Sequence, residues 1–297
     1  MKVSGWAILP WMIISAGFVI IILVVSTAYS ISLFPVAANG GTSVTTFYSV
    51  GTTSYSNQRL QRVLNDANAA LIVPLYQIGA NWTRAETALE AVENSTHVPM
   101  VVIVSFPQGP GRFNETTQRV LARMQAEGMV LIGYIYHGGD GVYSLLPKTN
   151  TTLEIEDYHE WYNLDGIFFD SVNDNMDPYY QNMTAFIHSL GMPFVMINAF
   201  DGPKWFQPSR ADAIAEENGF ISNVLLQCTS GAFPCSALRD HLAGIYTGEA
   251  TFNATDVYTL LKDFKYVWLT DDEGHHADAD ISTYIYQVAS IVDAYNQ

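Results

Sequence analysis

The chain has 297 residues, 49% of them hydrophobic, which suffices for one large core or two small ones. Its 29 acidic and 13 basic residues give a formal net charge of −16, and a surface this acidic repels phosphate backbones, which argues against nucleic acid as a partner. Only 14% of the residues are charged, which is low for a cytosolic globular protein and suits a surface kept soluble partly by glycans.

No charged residue lies between Lys2 and Arg59. Residues 3–28 are almost wholly apolar, and a membrane helix needs about 20 such residues. A secretory signal core is shorter, about 7–15 residues, so the stretch reads as an uncleaved anchor. Val36-Ala37-Ala38 offers a small-residue cleavage site, which keeps a secreted product as the alternative. Lys2 and the amino terminus are the positive charges nearby, and they favour an N-terminus inside with the rest of the chain outside the cell. Residues 30–64 are rich in Ser, Thr and Gly and read as a flexible stalk, with a helix-like lead-in over 57–69. This divides the chain into residues 1–29 as anchor or uncleaved signal, 30–64 as stalk and 65–297 as one globular domain.

Along that domain, apolar runs finish in polar residues at 71–77, 100–105, 130–137, 166–170, 194–198, 223–227, 241–249 and 266–272. Each is a candidate strand. Helical patterns fill the gaps at 82–93, 115–127, 154–163, 178–189, 209–218, 255–263 and 281–295. Ala85, Ala88, Leu89 and Val92 fall at helical spacing, and Gly128, Gly191 and Gly219 stand where helices end. Strands alternating with helices over a length near the ~250 residues of an eight-stranded α/β barrel predict a single (β/α)8 fold.

Two further features suit an external location. Asn-x-Ser/Thr sequons occur at Asn81, Asn94, Asn114, Asn150, Asn182 and Asn253, and most are expected to be accessible. Cys228 and Cys235, the only cysteines, lie in a loop-like stretch with Gly231 and Pro234 and read as a small-loop disulfide.

The candidate chemistry sits at strand ends. Asp170 closes the run Gly166-Ile167-Phe168-Phe169, where a barrel presents an acid at its active face; the plain alternative is a helix cap. Asp271 and Asp272 follow Tyr266-Val267-Trp268-Leu269-Thr270, and strand alternation carries Trp268 and Asp272 inward. Glu249 ends the run before it and is a further partner acid or an exposed loop residue. Asn198 and Gln227 are neutral strand ends suited to bonding a hydroxyl or N-acetyl group, and Tyr76, Tyr134, Tyr136 and His137 could form a sugar-stacking wall. His275-His276 invites a metal reading, but adjacent histidines rarely bind one ion, so neither a metal nor an organic cofactor is expected. HExxH, GxSxG, P-loop and Rossmann motifs are absent.

Pro74-Leu75-Tyr76, Gly133-Tyr134-Ile135-Tyr136, Trp161-Tyr162, Asp165-Gly166-Ile167-Phe168-Phe169-Asp170, residues 195–198 and Thr270-Asp271-Asp272 come in an order that resembles the spherulin 4-like (spherulation-specific family 4) proteins. The resemblance implies a (β/α)8 barrel and a secreted or membrane-anchored glycoside hydrolase acting on galactosamine-containing polysaccharide. It implies that Asp170 is the strand-four acid, Asp271 and Asp272 the strand-eight pair and Asn198 the strand-five Asn. Two departures stand out. Ser171 follows Asp170 where the family commonly has Glu, and Gln227 falls where the family tends to have a strand-six Glu. Missing partner acids leave two other readings beside the hydrolase: a catalytically inactive barrel that binds glycan, and a structural envelope glycoprotein.

Overall fold

The computed structural model describes residues 58–75, 82–106, 109–137, 148–172, 177–199, 206–218, 228, 230–231, 234–272 and 281–297. The apolar stretch 3–28, the stalk to residue 57, Tyr76, Asn81, Gln227 and the His275-His276 pair lie outside the described residues. Among the described residues no helix is long and apolar enough to cross a membrane.

Eight strands form a closed parallel barrel in chain order. They are β1 Ala70–Leu75, β2 Met100–Val104, β3 Val130–Tyr136, β4 Gly166–Val172, β5 Phe194–Ala199, β6 Ala213–Asn218, β7 Leu242–Tyr246 and β8 Tyr266–Leu269. The helices are α1 Trp82–Thr96, α2 Glu115–Ala126, α3 Lys148–Tyr162, α4 Asp177–Ser189, α5 Cys235–Leu238, α6 Ala254–Asp263 and α7 Ile285–Asn296. This is the (β/α)8 architecture. Most strands are buried on both faces, as barrel strands wrapped by helices must be, which is why they read as unbroken apolar runs.

The sixth strand corrects the sequence reading. A helix was expected over 209–218 and a strand over 223–227, whereas β6 occupies Ala213–Asn218. The reason is volume. Ala213 and Ala215 lie beside Met196 and Asn198 and share their inward face. The interior also holds Phe168, Phe194, Tyr266 and Trp268, and the Phe194 and Tyr266 rings meet across it at 5.8 Å. Small residues on β6 make room for these, so the strand lacks the hydrophobicity that marks its neighbours.

Two glycines permit close approach. A Cβ on Gly133 would stand 2.6 Å from the Tyr158 ring, so its absence lets α3 lie against β3 and the Tyr158 hydroxyl donate to the Tyr134 carbonyl at 2.9 Å. A Cβ on Gly166 would run into the Phe194 carbonyl, so no side chain fits where β4 meets β5. The helices bury one stripe each. On α2, Thr117, Val120, Leu121 and Met124 recur at helical spacing and face the sheet.

At the N-terminal ends of the strands, Arg59 and Asp165 form a buried ion pair, 8% and 3% exposed. Arg59 donates from Nε to Asp165 Oδ2 at 3.2 Å and from Nη2 to Oδ1, while the Leu131 N–H donates to Oδ2 at 2.9 Å. Lys265 Nζ reaches the Leu64 carbonyl at 2.7 Å, and Val63 is fully buried. Residues 59–64, assigned to the stalk by composition, are thus packed into the barrel. The Cys228–Cys235 disulfide is formed, with Cα atoms 5.5 Å apart.

Candidate active site

Four adjacent strands, β3 to β6, bring their polar ends together. On β4, Ile167 and Phe169 face the helices while Phe168 and Asp170 face the axis: the Phe169 ring packs on Tyr180 of α4, and the Phe168 ring on Tyr134 at 6.0 Å. The Tyr134 hydroxyl donates to Asp170 Oδ2 at 2.7 Å. Burial first, then the Asp170 charge and this hydrogen bond, push the Tyr134 phenol well above its ordinary range, so it remains a donor. Tyr136 lies beside Asp170 in register and shares the inward face.

Asp170 Oδ1 accepts from the Ser171 N–H at 2.7 Å and from Asn198 Nδ2 at 2.9 Å. The Ser171 contact sits at an irregularity. The β4–β5 register shifts between Phe169 and Val172, and Ser171 holds φ +56°. A left-handed serine inside a strand costs conformational energy and marks where the chain leaves the regular ladder, directly after the carboxylate.

Asn198 Nδ2 also donates to Glu217 Oε2, at 3.0 Å. Glu217 is the penultimate residue of β6, beside Ile245, on the face it shares with Ala215 and Asn198, and it is exposed at the mouth. With bonds of 2.9 and 3.0 Å from one amide nitrogen, the Asp170 and Glu217 oxygens they reach stand at most about 6 Å apart. Glu217 is the candidate site residue that sequence reasoning missed. An available signal was that Ala213-Ile214-Ala215-Glu216-Glu217 is also an apolar run ending in acids. It also corrects the strand-six position: a carboxylate stands there, not Gln227. Glu216 alternates to the outer face, where its charge acts on buried Tyr246.

The other candidates are dispersed. Trp268 faces the axis below the mouth, 1% exposed, and its indole N–H finds no hydrogen-bond partner among the described residues. Asp272 lies three residues past the end of β8, four strands from β4 and so across the barrel. Its carbonyl accepts from the Gly248 N–H at 2.7 Å, extending the β7–β8 ladder. Asp271 alternates outward, and its Oδ1 accepts from the Thr283 hydroxyl at 2.9 Å, so its carboxylate ties the rim to the start of α7. Glu249 is half-buried, with its backbone held by Thr270 and the Tyr284 hydroxyl on that same far side.

His137 does not join the tyrosines. It alternates outward from Tyr136, is 1% exposed, and packs on Phe169 while Nδ1 meets the Tyr180 hydroxyl at 2.8 Å. Burial lowers its pKa to about 4, which keeps it neutral. Nearby on α3, burial and the Asp157 charge push Glu154 up to about 7. A carboxyl raised in the folded state contributes stability at low pH that is lost as pH rises through about 7. Glu154→Gln therefore gains in Tm relative to the native chain between pH 5 and pH 8. The comparison cancels groups common to both, and a flat Tm difference would refute it. Among the described residues no group of three His, Cys, Asp or Glu could hold a metal ion.

Fold and site together define a (β/α)8 barrel whose strand ends carry an amide-bridged pair of carboxylates. The chain belongs to spherulation-specific family 4 (Spherulin4), which it matches over residues 70–292. It is similar to Sph3 of Aspergillus clavatus, solved in complex with GalNAc, at 18% identity over 78% of this chain and 99% of that one, with a TM-score of 0.62. It is also similar to alpha-galactosidase I of Mortierella vinacea, at 12% identity over 79% and 74% of the two chains, with a TM-score of 0.50. At such identities the likeness concerns the fold. No curated protein matches the chain.

Proposed function

We propose that the protein is a glycoside hydrolase acting on a hexosamine-containing, galactosamine-type polysaccharide, with Asp170 and Glu217 as its working carboxylates. The observation that carries this reading is the Asn198 amide bonded to both acids at once. Hydrolysis of a glycosidic bond needs one group to protonate the leaving oxygen and another to meet the charge developing at the anomeric carbon. Asp170, held by three donors on two oxygens, suits the anionic role, since an oriented carboxylate needs no reorganisation as charge develops. Glu217, more exposed, suits proton delivery and later activation of water.

A separation of at most about 6 Å falls on the side of retaining enzymes, about 5–5.5 Å, against roughly 6.5–9.5 Å in inverting ones. The expected product therefore keeps its anomeric configuration, read by proton NMR during the first minutes of hydrolysis. Inverted product would refute Asp170 as a nucleophile. Asn198, Tyr134 and Tyr136 would position the sugar. The GalNAc bound to Sph3 supports a glycan ligand of that type. The Ser171 departure favours the second reading, a barrel that binds glycan without cutting it. Reducing-end release that disappears in Asp170→Asn supports the enzyme; retention of polymer without release supports the binder.

The location rests on sequence. Residues 3–28 are proposed to anchor the chain, with the barrel outside the cell, in keeping with the sequons and the disulfide. Carbonate extraction of the full chain, with protease access to the barrel in intact cells, tests this. A soluble, protected barrel would refute it.

A further inference from the structure

Two segments share one pattern, Phe113-Asn114-Glu115-Thr116 and Phe252-Asn253-Ala254-Thr255. Each opens a helix, α2 or α6, and each Asn is the cap residue in nearly the same extended conformation: φ −137°, ψ 112° at Asn114 and φ −129°, ψ 109° at Asn253. In both, the side-chain oxygen makes the cap. Asn114 Oδ1 accepts from the Thr116 and Thr117 N–H groups at 2.9 and 3.1 Å, and Asn253 Oδ1 from the Thr255 N–H at 3.0 Å.

A carboxamide is planar, with its oxygen and nitrogen splayed about 120° apart. An oxygen aimed into the first helical turn therefore aims Nδ2 away from it. Nδ2 is the atom that carries an N-linked glycan, and the linkage keeps both the carbonyl oxygen and one N–H. Cap and glycan can thus share one residue. Both asparagines are exposed. Asn94, Asn150 and Asn182 are exposed too, but they lie within α1, α3 and α4 rather than at a cap, and none follows an aromatic residue.

A second observation concerns Phe113. It is 50% exposed, and its ring is backed by Trp161 at 6.2 Å edge-on and by Tyr162 at 6.4 Å. An aromatic ring fixed from behind and open in front is a platform for the apolar face of a hexosamine ring. It stands directly beside the attachment residue. Phe252 is half-buried and packs on Tyr284 at 5.6 Å.

From these observations we infer that Asn114 and Asn253 are cap-oriented N-glycosylation sites, and that Phe113 seats the first sugar of the Asn114 glycan. The modification transfers an oligosaccharide from a lipid-pyrophosphate donor supplied by the secretory host. A C–N bond forms from Nδ2 to the anomeric carbon, the C–O bond to pyrophosphate breaks, the nitrogen's proton goes to the transferase's base, and the lipid pyrophosphate leaves. The inference is independent of the catalytic reading.

The test is site mapping of the full chain from a glycosylating eukaryotic host. Enzymatic glycan release in 18O-water turns each occupied Asn into a heavy Asp. Both Asn114 and Asn253 should carry the label, and Thr116→Ala or Thr255→Ala, which leave the capping Asn in place, should each remove one glycan mass. Phe113→Ser should lower the Tm of the glycosylated chain more than that of the Thr116→Ala chain. Unlabelled Asn114 and Asn253, alongside a labelled control glycoprotein from the same host, would overturn the site assignment. Equal Tm losses in the two backgrounds would overturn the platform.

Discussion

Glu217→Gln should lower the rate of polymer hydrolysis by about 10²–10⁴-fold, the usual contribution of a positioned acid–base group, while leaving the fold and polymer retention intact. The amide keeps an acceptor for the Asn198 N–H at the position now held at 3.0 Å, so the local geometry survives. What is lost is the transferable proton. Asp271→Asn is the matched control. That carboxylate is engaged by Thr283 on the outer side of β8, and its removal should leave turnover near the native level. A Glu217→Gln chain with native turnover would remove the second carboxylate from the account.

Arg59→Met should destabilise the barrel by about 3–5 kcal/mol, the cost of breaking one half of a buried ion pair. Burial pushes the Asp165 carboxyl above its ordinary range, and Arg59 and the Leu131 N–H work against that push. Without Arg59 the carboxyl rises further. A carboxyl raised in the folded state loses stability as pH rises, so the deficit should be larger at pH 8 than at pH 4. Asp165→Asn instead strands a guanidinium, which cannot shed its charge, so its deficit should stay nearly constant over that range. The double replacement Arg59→Met with Asp165→Leu should recover much of the loss. Urea midpoints at the two pH values read all three variants. A deficit below about 1 kcal/mol for Arg59→Met would show that the lead-in segment is not part of the folded unit.

That segment marks one limit of the sequence reading. Arg59 ends a run free of charge and stands next to a polar stalk, so composition assigns it outward. Its partner Asp165 is 106 residues away, and only the closed barrel brings the two together. The strands were legible where both faces are buried, because helices on one side and packed side chains on the other leave continuous runs such as Met100–Val104 and Val130–Tyr136. On β6, alanines facing large neighbours and two acids at the end remove that signal.

The candidate site was legible in half. Asp170, Tyr134 and Asn198 were recognisable from runs of alternating residues ending in polar ones, and the structure joins them directly. Glu217 was hidden with its strand. His137 failed for a simpler reason. One step past Tyr136, alternation sends it to the opposite face, against α4. Asp271 is the mirror case, one step short of Asp272.

The most direct test of the central claim is reducing-end release from a panel of hexosamine polymers by residues 58–297, with Asp170→Asn and Glu217→Gln in parallel. The paired-carboxylate account predicts release by the native barrel and its loss in both variants, with each variant still folded. Release that persists in either variant, or no release from any polymer by a folded native barrel, would contradict it.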